Sequence, residues 1–398
     1  MYCVRKVLDD IYWIGGSDRR ISLFENIFPV PNGVSYNSYL IMDEKTVLLD
    51  TVDYSISRQF IENITYVLNG RSLDYIVINH MEPDHCAVIG DLIIKYPDVK
   101  LIGNSKTFEM IKQFFEGMDF QSIVVKEGDT FNTGKHSLRF VMAPMVHWPE
   151  SMVTFDESSS TLFSADAFGT FGALDGTIFA DEVNFDRDWL DDARRYYTNI
   201  VGKYGAQVQA VLKKAESLDI KIICPLHGPI WRENLGYIID KYNKWSKYEP
   251  EENGVMIAYA SMYGNTENMA NVLANTLADK GIKNIRVYDV SNTHISKLIS
   301  ESFKYSHIVL ASPTYNGRIY PLMENYITDM KALNLQKRTI AVMDNGTWAV
   351  TAGKQIVKEI SEMKDMKVID KVFSVKSAVA SGQAEEFKEF AEMIIKSF

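Results

Sequence analysis

The sequence has 398 residues, of which 46% are hydrophobic and 24% charged, a composition typical of a globular protein with roughly two or three domains. It has no apolar run of about eighteen residues and no secretory signal, which argues against a membrane-spanning helix and against export. The net charge of −10 argues against a nucleic-acid partner, so we expect a cytoplasmic protein that binds neither membrane nor nucleic acid.

The cysteines narrow the choice of metal chemistry. There are three, Cys3, Cys86 and Cys224, and they are far apart in the chain and form no CxxC pair. This spacing argues against a structural zinc site, a cysteine-ligated iron–sulfur cluster and a fused rubredoxin. So few cysteines also favour the cytosol.

The first half of the chain is predicted to be rich in β-strands with interspersed helices. Residues 35–42 and 46–51 are typical of neighbouring strands joined by a short turn. Residues 57–70 have the apolar spacing of a helix, and Gly70 suits its C-terminal end. Further strands are predicted at 74–80, 100–104, 122–128, 138–144, 151–156, 161–166 and 221–225.

The second half has a different pattern. Residues 246–254 are polar and contain Pro250 and Gly254, which predicts a linker. After it, apolar strands alternate with helical segments, as expected for an open, parallel, doubly wound sheet. We therefore predict two domains, residues 1–249 and 254–398.

Residues of metal-ligand type lie at the ends of predicted strands in the first domain. Four lie within six residues, and in an extended chain His80 and Glu82 point to the same side. The complete candidate set is His80, Glu82, Asp84, His85, His147, Asp166 and His227. A lone histidine at a strand end is usually structural, but four of the seven histidines share this placement, which favours a metal site.

The other histidines, His136, His294 and His307, lack neighbouring carboxylates in the sequence and are expected to be structural or exposed. The candidate set contains no thiolate, so imidazoles and carboxylates suit iron or manganese as well as zinc. Asp166 is the candidate for a carboxylate that bridges two metal ions.

The motif H-x-E-x-D-H at 80–85, followed by single His, Asp and His residues at long intervals, resembles the A-type flavodiiron proteins, redox members of the metallo-β-lactamase fold. Hydrolases of that fold usually have a histidine where this chain has Glu82, and in the family this oxygen ligand accompanies iron. HWP at 147–149 and HGPIW at 227–231 also match the family. The resemblance implies an N-terminal metallo-β-lactamase-like αββα sandwich and a flavodoxin-like second domain.

The resemblance also assigns the ligands. It implies that His80, Glu82 and His147 bind one iron, and that Asp166 bridges the pair. It implies that the second iron is bound by Asp84, His85 and His227. No catalytic residue beyond these ligands is expected.

The loop at 261–267 joins a predicted strand to a helix and resembles the flavodoxin phosphate loop. Backbone N–H groups at a helix N-terminus, with the hydroxyls of Ser261 and Thr266, can bind a phosphate without Lys or Arg. The absence of G-x-G-x-x-G argues against a dinucleotide. Two later strands end in loops that should meet the same ligand, although such loops also occur as plain turns beside core aromatics. The residues expected at an FMN are Ser261, Met262, Tyr263, Gly264, Asn265, Thr266, Ser312, Pro313, Thr314, Tyr315, Asn316, Gly317, Asn345, Gly346, Thr347 and Trp348.

A metal pair and a flavin in one chain imply electron transfer from FMN to iron. The resemblance implies reduction of dioxygen to water, of nitric oxide to nitrous oxide, or of both, with a separate rubredoxin or a reduced deazaflavin as electron donor. It also implies a head-to-tail homodimer, or a dimer of dimers, that places the FMN of one chain beside the irons of the other. Two alternatives stay open: a zinc hydrolase of the metallo-β-lactamase fold fused to a flavodoxin electron-transfer module, and a non-catalytic module that carries electrons or senses gas.

Overall fold

The strands of the first half form two large β-sheets and two two-stranded sheets in the computed structural model, which describes residues 2–398. These strands are β1 (Arg5–Lys6), β2 (Ile11–Trp13), β3 (Gly16–Asp18), β4 (Leu23–Phe24), β5 (Phe28–Pro29), β6 (Val34–Tyr36), β7 (Tyr39–Met42), β8 (Thr46–Leu49), β9 (Tyr75–Val77), β10 (Lys100–Gly103), β11 (Gln121–Val124), β12 (Thr130–Asn132), β13 (Ser137–Met142), β14 (Met152–Asp156), β15 (Thr161–Phe163) and β16 (Ile222–Cys224). The larger sheet has the order β1-β2-β7-β8-β9-β10-β11, and the smaller sheet has the order β12-β13-β14-β15-β16. Strand β3 pairs with β6, and β4 pairs with β5.

The two sheets share one hydrophobic core. Val47 and Leu49 of β8 belong to this core, together with Phe140 and Phe163 of the smaller sheet. Leu48 lies between the two β8 residues and is also buried, but it is not part of the shared core. Since successive strand residues point to opposite faces, the larger sheet is covered on its other face as well.

Helices supply that cover. Those of the first half are α1 (Ser57–Leu68), α2 (Pro83–Cys86), α3 (Ile89–Lys95), α4 (Ser105–Phe114), α5 (Phe185–Asp188), α6 (Leu190–Tyr196), α7 (Gly205–Ala215) and α8 (Leu235–Ser246). Helix α1 buries Phe60, Ile64 and Leu68, none of which belongs to the core between the sheets. It ends where Asn69 and Gly70 adopt positive φ angles, close to the predicted end. The predicted αββα sandwich is confirmed.

The second half forms a parallel sheet flanked by helices. Its elements are β17 (Glu252–Tyr259), α9 (Asn265–Asp279), β18 (Ile285–Asp289), α10 (Ile295–Lys304), β19 (Tyr305–Tyr315), β20 (Arg318–Ile319), α11 (Pro321–Ala332), β21 (Thr339–Asn345), α12 (Ala352–Ser361), β22 (Lys367–Val375) and α13 (Ala384–Ile395). The order is β18-β17-β19-β21-β22 with all these pairs parallel, and β20 folds back on β19. This is the predicted flavodoxin-like, doubly wound sheet.

Both faces of this sheet are buried. Val255 and Ile257 of β17 pack in one core, with residues of α9 and α13. Met256 and Ala258 pack in the other, with residues of α10, α11 and α12. A strand buried on both faces explains why 255–258 is an unbroken apolar run in the sequence.

The chain divides into two compact units that differ slightly from the predicted domains. One unit comprises the residues up to Tyr197 and 206–240, and the other comprises 198–205 and 241–398. Residues 241–249 join the second unit because Tyr248 is part of its core. The ranges 1–249 and 254–398 stay a prediction.

None of the helices between residues 2 and 398 is both long enough and apolar enough to cross a lipid bilayer.

Arg338 is a buried guanidinium that joins three segments of the second unit. It donates hydrogen bonds to the carbonyl oxygens of Ser302 and Phe303 at the end of α10, at 2.8 and 2.7 Å. It also donates to the carbonyl oxygen of Tyr248, at 2.7 Å. Burial lowers the pKa of Arg338 to about 9.

Replacing Arg338 with Met removes these donors and keeps a long side chain. The buried carbonyls then lose their partners, so we expect the free energy of unfolding to fall by about 3 kcal/mol or more. Urea unfolding followed by circular dichroism measures this change in the free energy of unfolding. Arg286→Met, at an exposed position of β18, is the matched control and should change stability by less than about 0.5 kcal/mol. Equal losses in both variants would contradict this account.

The expectation that His136 lacks carboxylate neighbours is wrong. Its Nδ1 lies 2.6 Å from Asp156 Oδ2, and its Nε2 lies 3.3 Å from Asp10 Oδ2. Asp156 is 20 residues away and comes close because β14 pairs with β13, which begins directly after His136, whereas Asp10 is 126 residues away and comes from the turn between β1 and β2. The other two histidines are structural: His294 accepts the N–H of Ser296 at the start of α10, and buried His307 stacks on Phe398.

The ion pair of His136 with Asp156 should make stability depend on pH. Burial lowers the pKa of His136, but Asp156 and Asp10 outweigh this and raise it. A raised histidine pKa contributes stability below the unfolded-state pKa of about 6.5, and the contribution is lost as the pH rises through the folded-state pKa. Replacing His136 with Asn should therefore reduce the free energy of unfolding more at about pH 5.5 than at about pH 9.

His307→Asn should show the opposite pH dependence of stability. Burial lowers the pKa of His307, so its contribution is present above the unfolded-state pKa and is lost as the pH falls. The loss on replacement should be greater at the higher pH. Urea unfolding of His136→Asn and His307→Asn at both pH values tests these two predictions. If the stability losses of the two variants changed with pH in the same direction, the predicted pKa shifts would be refuted.

Candidate metal centre and flavin pocket

The first group of ligand-type side chains lies at the ends of β9, β13 and β15. The Nε2 atom of His80 lies 3.2 Å from Glu82 Oε2 and 3.1 Å from Asp166 Oδ2. The Nε2 atom of His147 lies 3.0 Å from the same Glu82 oxygen and 3.3 Å from the same Asp166 oxygen. These four atoms therefore surround one point, as the ligands of a metal ion would.

The second group lies beside it. Pro83 opens the short helix α2, which turns the chain after Glu82 and so directs Asp84 and His85 away from the first group. His85 Nε2 lies 3.2 Å from Asp84 Oδ2, and His227 Nε2 lies 3.3 Å from the same oxygen. His227 reaches this position from the loop after β16.

Asp166 belongs to both groups. Its Oδ2 contacts the two histidines of the first group, while its Oδ1 lies 3.2 Å from His85 Nε2 and 3.6 Å from His227 Nε2. One carboxylate thus presents one oxygen to each of two neighbouring points. The structure brings all seven predicted ligands together in this arrangement.

The charges in this site explain several pKa shifts. Burial lowers the pKa of His85, but Asp84 and Asp166 raise it to about 10. Burial likewise lowers the pKa of His147, and hydrogen bonds to Asp166 and Glu82 raise it to about 9. The carboxylates attract positive charge so strongly that, without a metal ion, the imidazoles would hold protons in its place.

Several buried atoms fit cations. Both carboxylate oxygens of Asp84 and Asp166 Oδ1 are buried and accept no well-aligned hydrogen bond from residues 2–398, although imidazole nitrogens lie 3.2 to 3.6 Å from Asp84 Oδ2 and Asp166 Oδ1. Two imidazole atoms, His85 Nε2 and His227 Nε2, also lie 3.1 Å apart. Two nitrogens this close need a shared proton or a cation between or beside them. The donor set of four imidazoles and three carboxylates is one that divalent iron, manganese or zinc accepts.

Two contacts that hold the ligands were not predicted from the sequence. The Nδ1–H of His80 donates to Glu150 Oε1 at 2.9 Å, and the Nδ1–H of His227 donates to the carbonyl oxygen of Ser35 at 2.7 Å. Both contacts leave Nε2 free to bind a metal. The one available signal was that Glu150 lies in the same loop as His147.

The hairpin of β4 and β5 borders the second group. The Phe24 ring packs edge-on against His227, with a centroid distance of 5.4 Å. The next residue, Glu25, is exposed on the turn, and its carboxyl group lies close to that of Glu82. Partial burial and the charge of Glu82 raise the pKa of Glu25 to about 8. Glu25 had no motif to mark it in the sequence.

A separate cavity of about 400 Å³ lies at the carboxyl ends of β17, β19 and β21 in the second unit. Its lining consists of Ser261, Met262, Tyr263, Asn265, Thr266, Pro313, Thr314, Asn316, Gly317, Asn345, Gly346, Thr347, Trp348, Ala349 and Ser377. Of the predicted FMN residues, Gly264, Ser312 and Tyr315 are not in this lining, and Ala349 and Ser377 were not predicted. The volume is in the range of small-molecule and cofactor sites.

Ser312 lies outside the lining for a structural reason. Strand β19 continues to Tyr315, so Ser312 is inside the sheet and not in one of the loops in which it was expected. Its hydroxyl oxygen accepts the N–H of Tyr320 at 3.2 Å.

The loop before α9 has the form of a phosphate site. Gly264 has a φ of +89° and immediately precedes the helix, and its N–H donates to Ser261 Oγ at 3.0 Å. Thr266 lies in the first turn. The positive end of a helix of 15 residues faces this side of the cavity.

The loop at 345–349 lies across the cavity from α9, and in it the backbone of Gly346 closely approaches Ala349 and the ring of Trp348 is exposed. A Cβ atom at Gly346 would lie 1.9 Å from the carbonyl oxygen of Ala349, so no other residue fits this turn. Two aromatic side chains at the cavity are almost fully exposed, Trp348 at 93% and Tyr263 at 91%. Aromatic rings held in water beside a cavity suit a flat aromatic ligand.

Comparison with known families gives one match in each unit. The model described as ODP family beta lactamase matches residues 34–228, and the model described as flavodoxin domain matches residues 256–388. Together they cover both sites.

Three known proteins are similar over most of their length. A nitric oxide reductase of Moorella thermoacetica is 31% identical over 90% of this chain and 90% of its own. The solved rubredoxin oxygen:oxidoreductase of Desulfovibrio gigas is 29% identical, with a TM-score of 0.92 over 99% of this chain and 98% of its own. The flavodiiron protein of Giardia intestinalis is 26% identical, also with a TM-score of 0.92, over 99% of this chain and 97% of its own.

Proposed function

We propose, from the premise that this chain belongs to the flavodiiron protein family, that it uses electrons from FMN to reduce nitric oxide, dioxygen or both at a diiron centre. Because it belongs to this family, the chain is an oxidoreductase. Nitric oxide would give nitrous oxide, and dioxygen would give water. The zinc-hydrolase alternative is not favoured, because the named relatives are reductases.

The observation that carries the proposal is the position of Asp166. Its two oxygens face two different groups of imidazole and carboxylate ligands. We assign His80, Glu82 and His147 to one iron, Asp84, His85 and His227 to the other, and Asp166 to both. A pair of irons, when bound, supplies the electrons and the open coordination positions that reduction of a diatomic gas needs.

The protein's own side chains hold this set in place. Glu150 and Ser35 fix the tautomers of His80 and His227, so that each presents the lone pair of Nε2. The rings of Phe24, Tyr36 and Tyr196 surround His227, with centroid distances of 5.4, 5.7 and 5.3 Å. These three rings cover one side of the site.

FMN binds, in this proposal, in the cavity between the three loops of the second unit. Ser261, Thr266 and the start of α9 hold its phosphate, because backbone N–H groups at a helix N-terminus bind anions. Trp348 and Tyr263 lie against its ring system. Bound FMN accepts electrons in pairs and releases them singly, as a metal centre requires.

The electron donor and the assembly belong to the same proposal. A rubredoxin is the first candidate donor, since the relative from Desulfovibrio gigas is named for one, and a reduced deazaflavin is the other. We further propose a cytoplasmic head-to-tail homodimer, alone or paired into a tetramer. The family resemblance is what supports this assembly, which would place the FMN of one chain beside the irons of the other.

Dilution tests the assembly. A head-to-tail dimer should lose gas consumption as it dissociates, because the FMN of one chain would no longer lie beside the irons of the other. Sedimentation velocity and gas-consumption rates across the same concentration series should fall together. A monomer with full activity per chain would refute the dimer and leave the reductase proposal intact.

A further inference from the structure

Glu150 is a buried carboxylate outside the set of ligands predicted from the sequence. It is 1% exposed, and its Oε1 accepts the Nδ1–H of His80 at 2.9 Å and the backbone N–H of Met81 at 2.8 Å. Its other oxygen, Oε2, has no hydrogen-bond partner within residues 2–398. The negative charge of Glu150 is therefore directed at the ring of one metal-binding histidine.

In the second group, neither His227 nor His85 has a carboxylate at its Nδ1 among residues 2–398. The Nδ1–H of His227 donates to a neutral peptide carbonyl, that of Ser35, at 2.7 Å. His85 Nδ1 is buried and has no hydrogen-bond partner among the residues from 2 to 398. The imidazoles on the two sides of Asp166 are thus supported by different groups.

We infer that Glu150 is a positioning residue that makes His80 a stronger electron donor than His227, and that it thereby lowers the reduction potential of the iron bound by His80, Glu82 and His147. This inference rests on the proposed diiron function. A carboxylate that accepts the Nδ1–H of a ligating histidine fixes the ring and raises its basicity. A more basic ligand favours the ferric over the ferrous ion.

The two irons then differ in the order of their reduction. The iron held by Asp84, His85 and His227 would have the higher reduction potential and would be reduced first, and the iron beside Glu150 would be reduced second. A larger gap between the two potentials would widen the range in which one ion is ferrous and the other ferric. Without the charge of Glu150, the two potentials should lie closer together.

A purely structural role for Glu150 makes a different prediction. Its bond to the N–H of Met81 also anchors the loop that carries His80 and Glu82. If anchoring were its whole role, removing only the charge would leave the irons unchanged, because a neutral amide oxygen can accept both hydrogen bonds.

The experiment compares Glu150→Gln with the unaltered holoenzyme. Gln keeps the shape and the acceptor oxygen but removes the charge. We expect a redox titration monitored by electron paramagnetic resonance to show a higher potential for the second one-electron step and a narrower range of the mixed-valent signal. We also expect the dissociation constant of one iron, measured by competition with a chelator, to rise by about tenfold or more.

Two further variants complete the test. Glu157→Gln, a partly exposed carboxylate of the same sheet region, should leave potential and iron affinity unchanged. Glu150→Asp keeps the charge but places it at a longer distance from His80, so its potential should lie between those of Glu150→Gln and the unaltered protein. If Glu150→Gln does not fold, Glu150→Asp becomes the test variant, and its longer contact should still raise the potential slightly. An unchanged potential and iron affinity in Glu150→Gln, or in Glu150→Asp in that case, would overturn the inference. A protein that contains no iron at all would overturn the proposed function instead.

Discussion

Replacing Asp166 with Asn should reduce gas consumption by more than about 100-fold and remove iron from both positions. The reason is that Asp166 presents one oxygen to each group of ligands, and no other side chain among residues 2–398 is shared by the two groups. An amide has only one good acceptor oxygen and carries no charge. Iron analysis by plasma emission and gas consumption at a selective electrode measure the two effects.

Two matched carboxylates serve as controls. Asp84→Asn removes a ligand of one group only, so it should lower the iron content toward one ion per chain. Asp175→Asn changes a side chain that is 86% exposed and should alter neither iron content nor activity. If Asp166→Asn and Asp84→Asn lost the same single iron, Asp166 would not be a bridge.

The second large effect is expected at the flavin cavity, where Gly346→Ala should raise the dissociation constant of FMN by at least about tenfold. The added Cβ would lie 1.9 Å from the carbonyl oxygen of Ala349, so the loop that lines the cavity must move. A displacement of about 1 Å in a positioning loop is enough for a loss of this size. Titration of flavin-free protein with FMN, followed by flavin fluorescence, gives the constant.

Gly382→Ala is the matched control for this change. Gly382 has open space at its Cβ position and lies outside the cavity lining, so FMN affinity should not change. Iron content should be normal in both variants, because the metal ligands belong to the other unit. Unchanged FMN affinity in Gly346→Ala would show that the cavity is not the flavin site.

The seven candidate ligands could be picked out from the sequence because their pattern is local. Four of the seven lie within six residues, and the others follow apolar strands whose ends meet in any sandwich of this kind. The candidate phosphate loop could be picked out for the same reason, since Ser261, Gly264 and Thr266 lie in one turn between a strand and a helix. Strand–helix alternation was sufficient to predict the parallel sheet of the second unit.

What could not be predicted depends on contacts between distant parts of the chain. Glu150 meets His80 across 70 residues, and Ser35 meets His227 across 192 residues. No local pattern of residues encodes such pairs. His136 was misjudged for the same reason, because its partner Asp156 comes from a neighbouring strand. Ser312 was placed in a loop because the apolar run ends there, whereas hydrogen bonding to β21 extends the strand to Pro313 and beyond.

The most direct test of the account is to measure metal, flavin and gas turnover on one preparation. The protein, reduced anaerobically through a rubredoxin, is given nitric oxide or dioxygen while the loss of each gas is followed. The account predicts two irons and one FMN per chain and rapid consumption of at least one gas, abolished in Asp166→Asn. Zinc in place of iron, absence of flavin, or no consumption of either gas would contradict it.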